Sequence, residues 1–421
     1  MLNRLLPRSE FVRNVLTLIT GTTIAQAIPI AIGPILTRIY TPEEFGLYGI
    51  FIAIVSIVSV VATARYELAI IQPKLDKDVN HLVALSISVA TFISMVALVL
   101  VLLFDQDIAD FVDNQDIKPW LYFVPVSVFL VGVFQSCNYW HSRLKRYAAI
   151  SKAKVAQSAG NVSINLVAAP LQVNGLGLIL GHVLGQIVAV IVVLKHLIRS
   201  CRKKNVTSVV RCIALAKRYR NFPLWSTPGA LLDSASMQLP VLLISRFFDV
   251  ATAGFFNFTY RYIGGPLALV SQALAQVLLQ KISTEDHRQV YPFVLLVLRR
   301  LLLASIPFVG VIYFFGEFVF GLVFGEAWRV AGQYASILIF SIAVRFIVSP
   351  LSMVLTLERN VKLGVCWQAM YFVSVTSTLI VVSDWAIMDF LVAFVIQDVA
   401  LYGIYLCIIL FASKRMTTCV E

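Results

Sequence analysis

The chain has 421 residues, of which 59% are hydrophobic and only 13% are charged. A composition this apolar cannot be covered by polar surface, which excludes a soluble globular protein. The formal net charge of +12 would indicate nucleic-acid binding in a soluble protein. Here the basic residues lie in gaps between long apolar segments, so no nucleic-acid partner is expected.

These apolar segments predict an all-α integral membrane protein with twelve transmembrane helices. Each segment can cross a hydrocarbon core of about 30 Å, and only helices satisfy their own backbone in lipid without closing a barrel. The N-terminal apolar run, from Val15 to Ile39, is too long for a cleaved signal peptide and is predicted to be the first span. The predicted spans are residues 13–39, 45–71, 80–104, 119–138, 148–170, 176–197, 222–246, 252–280, 292–316, 330–356, 362–383 and 387–411.

Most of the 34 Lys and Arg residues occupy every second gap between these spans. The intervening gaps contain only Arg38, Lys118, Arg246 and Arg329. Basic residues are retained on the cytoplasmic side during insertion, so the pattern predicts that both termini are cytoplasmic. Asp113 and Asn174 are expected outside, and Lys203 and Lys414 inside.

Neither a metal site nor a disulfide framework is predicted. The acidic outer loop from Asp105 to Asp116 lacks the Gly-containing pattern of a calcium loop. The cysteines lie in apolar spans or on the predicted cytoplasmic side, where an oxidising compartment cannot pair them. We expect no cofactor.

The longest inner connection divides the chain into an N-terminal lobe (1–197), a basic cytoplasmic linker (198–221) and a C-terminal lobe (222–421). Apolar residues interspersed in the linker are consistent with a short helix on the anionic inner leaflet, or with a plain retention signal.

A faint repeat supports two six-helix lobes. The sequence Thr37-Arg38-Ile39-Tyr40 before Gly46 matches Ser245-Arg246-Phe247-Phe248 before Gly254, 208 positions later. An even number of spans per lobe gives both lobes the same orientation, related by a pseudo-two-fold axis along the membrane normal. Transporters use such parallel repeats, with the substrate path between them.

Polar stripes recur every four residues on two predicted helices, so each lies on one helix face. The stripe on the fifth span consists of Gln157, Asn161 and Asn165. The stripe on the eighth span consists of Gln272, Gln276 and Gln280. Buried amides either join helices or line a wet cavity, and the sequence leaves both open. A glycine stripe on the sixth span predicts close helix packing: Gly177, Gly181 and Gly185.

Four charged residues lie inside apolar spans: Asp233, Arg261, Arg345 and Asp398. A charge at the centre of a span costs about 2.5–3.5 kcal/mol on the insertion scale, so these charges must pair, face water, or both. Two silent salt bridges would balance the signs. A functional interpretation makes the arginines phosphate ligands and makes Asp233 and Asp398 ion-coupling carboxylates, in a cavity between the lobes.

The second span has a further pair of charges near its cytoplasmic end. Arg65 lies about two turns from that end and could meet an anionic head group, so it joins the candidate substrate ligands. Glu67 is expected to snorkel to the interface.

Four sequence runs resemble the bacterial O-antigen and polysaccharide flippases, the Wzx-like family: TPEEFGLYG from Thr41, RYELAIIQP from Arg65, GLGLILGHVLGQ from Gly175 and FGEAWRVAG from Phe324. The family belongs to the superfamily that includes multidrug-and-toxin exporters and lipid II flippases. The resemblance implies movement of a polyprenyl-pyrophosphate-linked oligosaccharide from the inner to the outer leaflet of the bacterial inner membrane. The resemblance also implies a cationic cavity, and Arg65, Arg261 and Arg345 match it by their location in the chain.

Arginine forks suit phosphate oxygens, and the amide stripes suit sugar hydroxyls. The polysaccharide polymerase and a chain-length regulator are possible partners. A drug exporter of the same fold is the nearest alternative, although it would favour acidic cavities. The polymerase itself, an enzyme, would need reactive groups in a sizeable outer loop, and the outer gaps are short. A pure assembly scaffold would need no charges at membrane depth. We therefore expect a transporter and not an enzyme.

Overall fold

The computed structural model describes residues 10–171, 175–201, 208–284, 290–356 and 361–418. In this part of the chain every regular element is a helix and no strand occurs. The helices in the first half are α1 (Glu10–Leu36), α2 (Pro42–Ser59), α3 (Tyr66–Ala69), α4 (Asp76–Phe111), α5 (Lys118–Leu121), α6 (Phe123–Arg143), α7 (Tyr147–Ala168), α8 (Leu176–Cys201) and α9 (Val209–Arg218).

The second half contains α10 (Thr227–Phe247), α11 (Val250–Thr259), α12 (Gly265–Thr284), α13 (Val290–Phe324), α14 (Arg329–Leu351), α15 (Val361–Val381) and α16 (Ile387–Thr418). Two π-helical turns interrupt the sequence of α-helices, Phe222–Ser226 before α10 and Tyr260–Gly264 between α11 and α12.

Seven helical segments of the described chain are long and apolar enough to cross a membrane: Pro42–Ser59, Asp76–Phe111, Phe123–Arg143, Leu176–Lys195, Val290–Phe324, Glu326–Leu355 and Ile387–Lys414. Two shorter apolar helices, Thr20–Leu36 and Cys366–Val381, fall below the same length. The protein is therefore an all-helical, multi-pass membrane protein. The predicted total of twelve spans remains a prediction.

The chain forms two compact units, Met1–Gln238 and Leu239–Glu421, so the division falls inside α10. The predicted lobes were separated further upstream, by a linker at 198–221. Part of that linker, residues 202–207, lies outside the described residues. The rest contains α9, which packs on α4 within the first unit, so this segment includes a docked helix.

In the first unit, α7 packs against both α1 and α8, and α6 packs against α2, α4 and α8. Small polar side chains join these helices, because the interior offers them no water. Ser86 of α4 meets Ser136 of α6 at 2.8 Å, and Ser151 of α7 donates to the Thr17 carbonyl at 2.9 Å. The His141 ring on α6 lies 3.2 Å from the Val193 carbonyl of α8.

In the second unit, α14 is central and packs against α11, α12, α13 and α16. Its N-terminal end is held by an aromatic cluster in which the Phe258 ring lies 4.1 Å from Trp328 and 4.9 Å from Phe324. Trp328 is only 1% exposed. Thr259 also donates to the Ala331 carbonyl at 3.0 Å. These contacts fix the helix that carries Arg345.

The two predicted repeat segments form similar turns. Thr41 is the N-cap of α2 and forms a capping box with Glu44, while Asp249, 208 positions later, is the N-cap of α11 and accepts from Thr252 N at 2.6 Å. A side-chain cap satisfies backbone donors that the first helical turn leaves open. The same offset relates two buried tryptophans, Trp120 and Trp328, each in the turn after a long helix.

Two predicted helix boundaries were wrong. The second span, predicted as continuous over 45–71, is interrupted after α2, and Ala64 and Arg65 adopt left-handed φ angles of 46° and 61°. The eighth span, predicted at 252–280, is helical throughout and contains the π turn at 260–264. The first part of the predicted acidic outer loop is helical, because α4 continues to Phe111.

Candidate functional site

A charged pair in the second unit lies in the middle of the packed helices. Arg345 on α14 reaches Asp398 on α16 with both sides of its fork: Nε lies 2.8 Å from Oδ2, and Nη2 lies 3.1 Å from Oδ1. The Asp398 side chain is 0% exposed and that of Arg345 is 14% exposed. This two-point geometry is the strongest arrangement of an arginine with a carboxylate.

Hydroxyl groups complete the coordination of this carboxylate. Ser341 donates to Asp398 Oδ2, and Tyr371 of α15 donates to Oδ1 at 2.7 Å. Arg345 Nη2 in turn donates to the Tyr371 hydroxyl at 2.6 Å. The Tyr260 hydroxyl lies 3.1 Å from Ser341 Oγ. The charges are therefore linked into one network that includes α14, α15, α16 and the π turn.

Three tyrosine rings surround the guanidinium group. Arg345 Cζ lies 5.7 Å from the ring centre of Tyr260, 5.8 Å from that of Tyr371 and 5.6 Å from that of Tyr402. Trp367 of α15 extends the aromatic cluster, since its ring stacks on Tyr405 at 4.3 Å with an interplanar angle of 8°. Aromatic faces attract a cation and keep lipid away from it. Arg345 and Asp398 thus form a neutral ion pair enclosed by aromatic rings.

The pairing bears directly on the two predicted roles. Any phosphate that binds Arg345 through its fork must compete with the Asp398 carboxylate, which occupies Nε and Nη2. If a phosphate displaced the Asp398 carboxylate from the guanidinium, the carboxylate would keep the hydroxyls of Ser341 and Tyr371 as hydrogen-bond donors. The sequence identified both residues but did not indicate that they contact each other.

Arg261 and Asp233 occupy irregular or exposed positions. Arg261 lies in the π turn, next to Tyr260, and is half-buried. Single π turns inside α-helices are frequent at functional sites. Asp233 lies on α10 and is exposed.

Arg65 follows the interruption after α2 and precedes α3. Its side chain is 27% exposed and Nη1 lies 3.7 Å from Glu67 Oε1, whereas its buried Nε meets no hydrogen-bond acceptor among the described residues. Glu67 is only 1% exposed and accepts a hydrogen bond from Thr63. The expectation that Glu67 snorkels to the interface was wrong, because the interruption turns its side chain into the protein, where Arg65 and Thr63 offer partners.

The amide stripe on α7 faces the glycine stripe on α8. Asn165 is 3% exposed, and with its amide turned to satisfy both atoms, Nδ2 donates to the carbonyls of Gly177 and Asn161 at 2.9 Å each. A Cβ at Gly181 would overlap the Asn165 side-chain amide and lie 2.8 Å from the Asn161 carbonyl. Close packing at the glycines is therefore confirmed, and the structure gives Asn165 a helix-joining position.

The remaining predicted amides are more open. Gln157 and Asn161 on α7 are partly exposed, and Gln272 and Gln276 on α12 are exposed. The side chain of Gln280 lies outside the described residues. The more open amides keep their predicted role as sugar ligands.

A polar network at the α1–α2 turn was missed by the sequence analysis. Glu44 accepts from Thr41 N at 2.9 Å and from Gly175 N at 3.2 Å, and Gly175 has a φ of +68°, which favours glycine. Tyr40 donates to the Asn165 carbonyl at 2.6 Å. Burial, with Glu44 nearby, raises the pKa of Tyr40 to about 12. The sequence runs that begin at Thr41 and Gly175 thus contact each other through Glu44 and the Gly175 backbone.

No cluster of three or more potential metal ligands occurs in the described part of the chain.

The fold is similar to that of several solved membrane transporters, some of them described as members of the MOP superfamily. An inward-facing multidrug resistance MATE family transporter is similar with a TM-score of 0.71 and 13% identity, covering 95% of this chain and 95% of that chain. The lipid II flippase MurJ, in an inward closed conformation, has a TM-score of 0.75 and 11% identity, over 96% of this chain and 87% of that chain. A MOP superfamily transporter from Pyrococcus furiosus, described as having a binding pocket of reverse polarity, has a TM-score of 0.62 and 11% identity, over 97% and 96% of the two chains.

A family model described as "Polysaccharide biosynthesis protein" matches residues 35–333. The chain belongs to this polysaccharide biosynthesis family, which confirms the resemblance inferred from its sequence runs. No curated protein matches the sequence.

Proposed function

We propose that this protein moves a polyprenyl-pyrophosphate-linked oligosaccharide, the repeat unit of an O-antigen or another polysaccharide, from the inner to the outer leaflet of the bacterial inner membrane. Transport proceeds by alternating access. In this proposal twelve spans form two six-helix lobes related by a parallel repeat, and both termini are cytoplasmic. A polysaccharide polymerase and a chain-length regulator would act on the product.

One combination of observations carries the proposal: the family is one of polysaccharide biosynthesis, while the fold is that of transporters. A step of polysaccharide assembly that needs a transporter is the passage of a lipid-linked sugar across the bilayer. The polar head cannot cross hydrocarbon unaided, because each buried polar group without a partner costs several kcal/mol.

The placement of charges supports an anionic substrate. Arg65, Arg261 and Arg345 are proposed to bind the pyrophosphate, because arginine forks match phosphate oxygens. Asp233 is exposed on α10, and Gln272 and Gln276 are exposed on α12. Lipid is an unfavourable neighbour for a carboxylate, so we propose that Asp233 faces water.

A multidrug exporter of the same fold is the second candidate, because MATE family transporters are among the similar structures. It would favour cationic compounds and acidic cavities. The embedded acid Asp398 is already neutralised by Arg345 in this protein, which favours the polysaccharide substrate.

Reconstituted vesicles test the proposal. Purified full-length protein should move a fluorescent polyprenyl-pyrophosphate oligosaccharide across the bilayer, measured by the fraction of label that an impermeant reductant bleaches. Arg261→Ala and Arg65→Ala should reduce the rate, and Arg345→Lys should retain part of it, because lysine keeps the charge and loses the fork.

Arg329→Ala is the matched control, since Arg329 is an exposed arginine of the same unit paired with Glu326 at 2.8 Å. It should leave the rate unchanged. Transport of a cationic dye in place of the lipid-linked sugar would instead establish the exporter.

Cysteine labelling tests the proposed topology. A membrane-impermeant reagent applied to intact cells should label Asp113→Cys and leave Lys414→Cys unlabelled. The predicted reporter positions Asn174 and Lys203 lie outside the described residues. Labelling of position 414 from outside would invert the topology.

A further inference from the structure

A groove of about 550 Å³ lies within the first unit, beside α9. Its volume is within the range of about 300–1,000 Å³ that is typical of small-molecule sites. One wall comes from α4, including Ala84 and Leu85, and from Tyr66 of α3. The opposite wall comes from α9, including Val209 and Ile213. The groove is therefore mainly apolar along its length.

Specific contacts hold α9 in place as a wall of this groove. Arg211 Nε lies 2.7 Å from Asp78 Oδ1 on α4, and Ser208 N donates to His81 Nε2 at 3.1 Å. The Cys212 thiol donates to the His81 carbonyl at 3.5 Å, and the Tyr66 hydroxyl donates to the Ala216 carbonyl at 3.3 Å. Three elements thus define the groove without help from a ligand.

The apolar side chains of α9 are largely exposed, both in the groove and beside it. Val209 and Ile213, which line the groove, are 72% and 53% exposed, and Val210 is 77% exposed. Basic residues flank them on the same helix, at Arg211, Lys217 and Arg218. An amphipathic helix with a basic polar face lies at the boundary between lipid head groups and acyl chains. This position brings the groove within reach of membrane lipid.

The basic residues at the end of α9 give the groove its polarity. Lys217 and Arg220 both line it, three residues apart, and neither has an acidic partner among the residues that the structure describes. By contrast, Arg211 is paired with Asp78 and serves to anchor the helix. An apolar groove that ends at two available cations is complementary to an amphiphile with an anionic head.

We propose that the groove between α4 and α9 binds one anionic phospholipid of the bilayer. An acyl chain lies along Ala84, Leu85 and Ile213, and the phosphate lies between Lys217 and Arg220. Anionic phospholipid is the abundant amphiphile at the cytoplasmic surface, and mass action favours it over a scarce lipid of similar charge. This site is separate from the proposed transport function and applies to any substrate.

The site has a structural consequence for the transport path. Tyr66, which lines the groove, directly follows Arg65, and its hydroxyl joins α3 to α9. A lipid in the groove packs on the Tyr66 ring and so restrains the backbone at the interruption after α2. Occupancy of the groove therefore stabilises the position of Arg65.

The first test measures lipid binding to the purified full-length protein by native mass spectrometry. Phosphatidylglycerol should bind more tightly than phosphatidylcholine. Lys217→Gln combined with Arg220→Gln should weaken phosphatidylglycerol binding about 30-fold, because each basic residue near the phosphate contributes about fivefold. The control is Lys74→Gln with Lys77→Gln, which removes the same charge from exposed lysines outside the groove and should change binding less than threefold.

The second test uses Cys212 as a reporter from inside the groove, in a variant whose other cysteines are serine. Burial raises the pKa of the Cys212 thiol, so alkylation is measured at alkaline pH, where more thiolate forms. Phosphatidylglycerol should slow alkylation of Cys212 about tenfold. Ala84→Phe, which fills the groove, should remove that protection, and the unfolding transition of the variant shows whether it is folded.

Four outcomes would overturn the proposal. If phosphatidylcholine bound as tightly as phosphatidylglycerol, Lys217 and Arg220 would have no role in recognising the head group. Equal loss of binding in the Lys74 and Lys77 control would reduce the effect to general surface charge. Protection of Cys212 by inorganic phosphate alone would identify an anion site, and tighter binding of polyprenyl phosphate would identify a substrate-lipid site.

Discussion

Replacing one partner of the Arg345–Asp398 ion pair should lower the free energy of unfolding strongly. Replacing both partners together should lower it less. Asp398 accepts from Ser341, from two nitrogens of Arg345 and from Tyr371. Asp398→Leu would leave a guanidinium that is only 14% exposed without its counter-ion. Removing one partner of a buried pair costs about 3–5 kcal/mol, and the insertion scale gives about 2.5–3.5 kcal/mol for an arginine at the centre of a span. Both routes predict a loss of about 3 kcal/mol.

The double variant Arg345→Met with Asp398→Leu removes both charges, so it distinguishes the cost of an unpaired charge from the cost of the lost hydroxyl partners. Ser341 retains the Tyr260 hydroxyl as a partner, whereas Tyr371 loses the partners it has in Arg345 and Asp398. One unsatisfied hydroxyl costs about 1–3 kcal/mol. The double variant should therefore be more stable than Asp398→Leu alone, and adding Tyr371→Phe should recover part of the remaining loss.

Reversible unfolding in mixed detergent micelles, followed by tryptophan fluorescence, measures these differences. The control is Glu326→Ala, which breaks an exposed pair with Arg329 and should cost at most about 1 kcal/mol. If Asp398→Leu cost no more than this control, or if the double variant were the less stable one, the network around Asp398 would not be a buried ion pair. The double variant should also lose transport while it remains folded, because the guanidinium is gone.

Three further predictions concern packing, caps and coupling. Gly181→Ala should lower the free energy of unfolding by about 1–3 kcal/mol, because the new Cβ overlaps Asn165. The control Gly160→Ala should be nearly neutral in the same measurement, because its Cβ would lie 3.5 Å from the nearest atom. Thr41→Ala and Asp249→Ala should each cost about 1 kcal/mol through loss of an N-cap, and a cost at only one of them would contradict the similarity of the two turns. Asp233→Asn and Asp398→Asn should retain substrate binding and lose the response of vesicle transport to a proton or sodium gradient, and an unchanged response in the double variant would reduce both carboxylates to structural partners.

The sequence was sufficient to locate the charged residues because their signal is local. Arg345 and Asp398 stand out as single charges within long apolar runs, and the cost of such charges predicts that they pair or face water. Their contact could not be predicted, because it depends on which faces of α14 and α16 meet. Helical periodicity gives the face of each helix but not its neighbour.

The interruption of the second span could not be predicted for a different reason. Residues 60–65 contain neither glycine nor proline, so nothing local marks the left-handed conformation of Ala64 and Arg65. Tertiary contacts surround it, including the hydrogen bonds of the Tyr66 hydroxyl with the Ala216 carbonyl and of Arg143 with the Ile71 carbonyl. The one local feature was a pair of opposite charges two residues apart, Arg65 and Glu67, because residues at this spacing do not face each other on a continuous helix.

The amide and glycine stripes show how one pattern can have two meanings. Both recur every four residues, on consecutive helices α7 and α8, and the structure places them against each other. Small residues let helix backbones approach, and the facing amides then bond to carbonyls that the approach exposes. The α7 amides face glycines of the same spacing on the next helix, which indicates packing. The amide stripe on α12 is exposed.

The geometry of the Arg345 site constrains how an ion gradient could drive the proposed transport. With Asp398 bound to the guanidinium, the pair is neutral. A pyrophosphate that takes the fork leaves Asp398 with the hydroxyl donors of Ser341 and Tyr371. A buried carboxylate that has lost its counter-charge is costly, so a cation would have to accompany the substrate. Departure of the substrate restores the ion pair and releases that cation. Substrate and cation would thus bind and leave together, because one guanidinium cannot satisfy a phosphate and Asp398 through the same nitrogens.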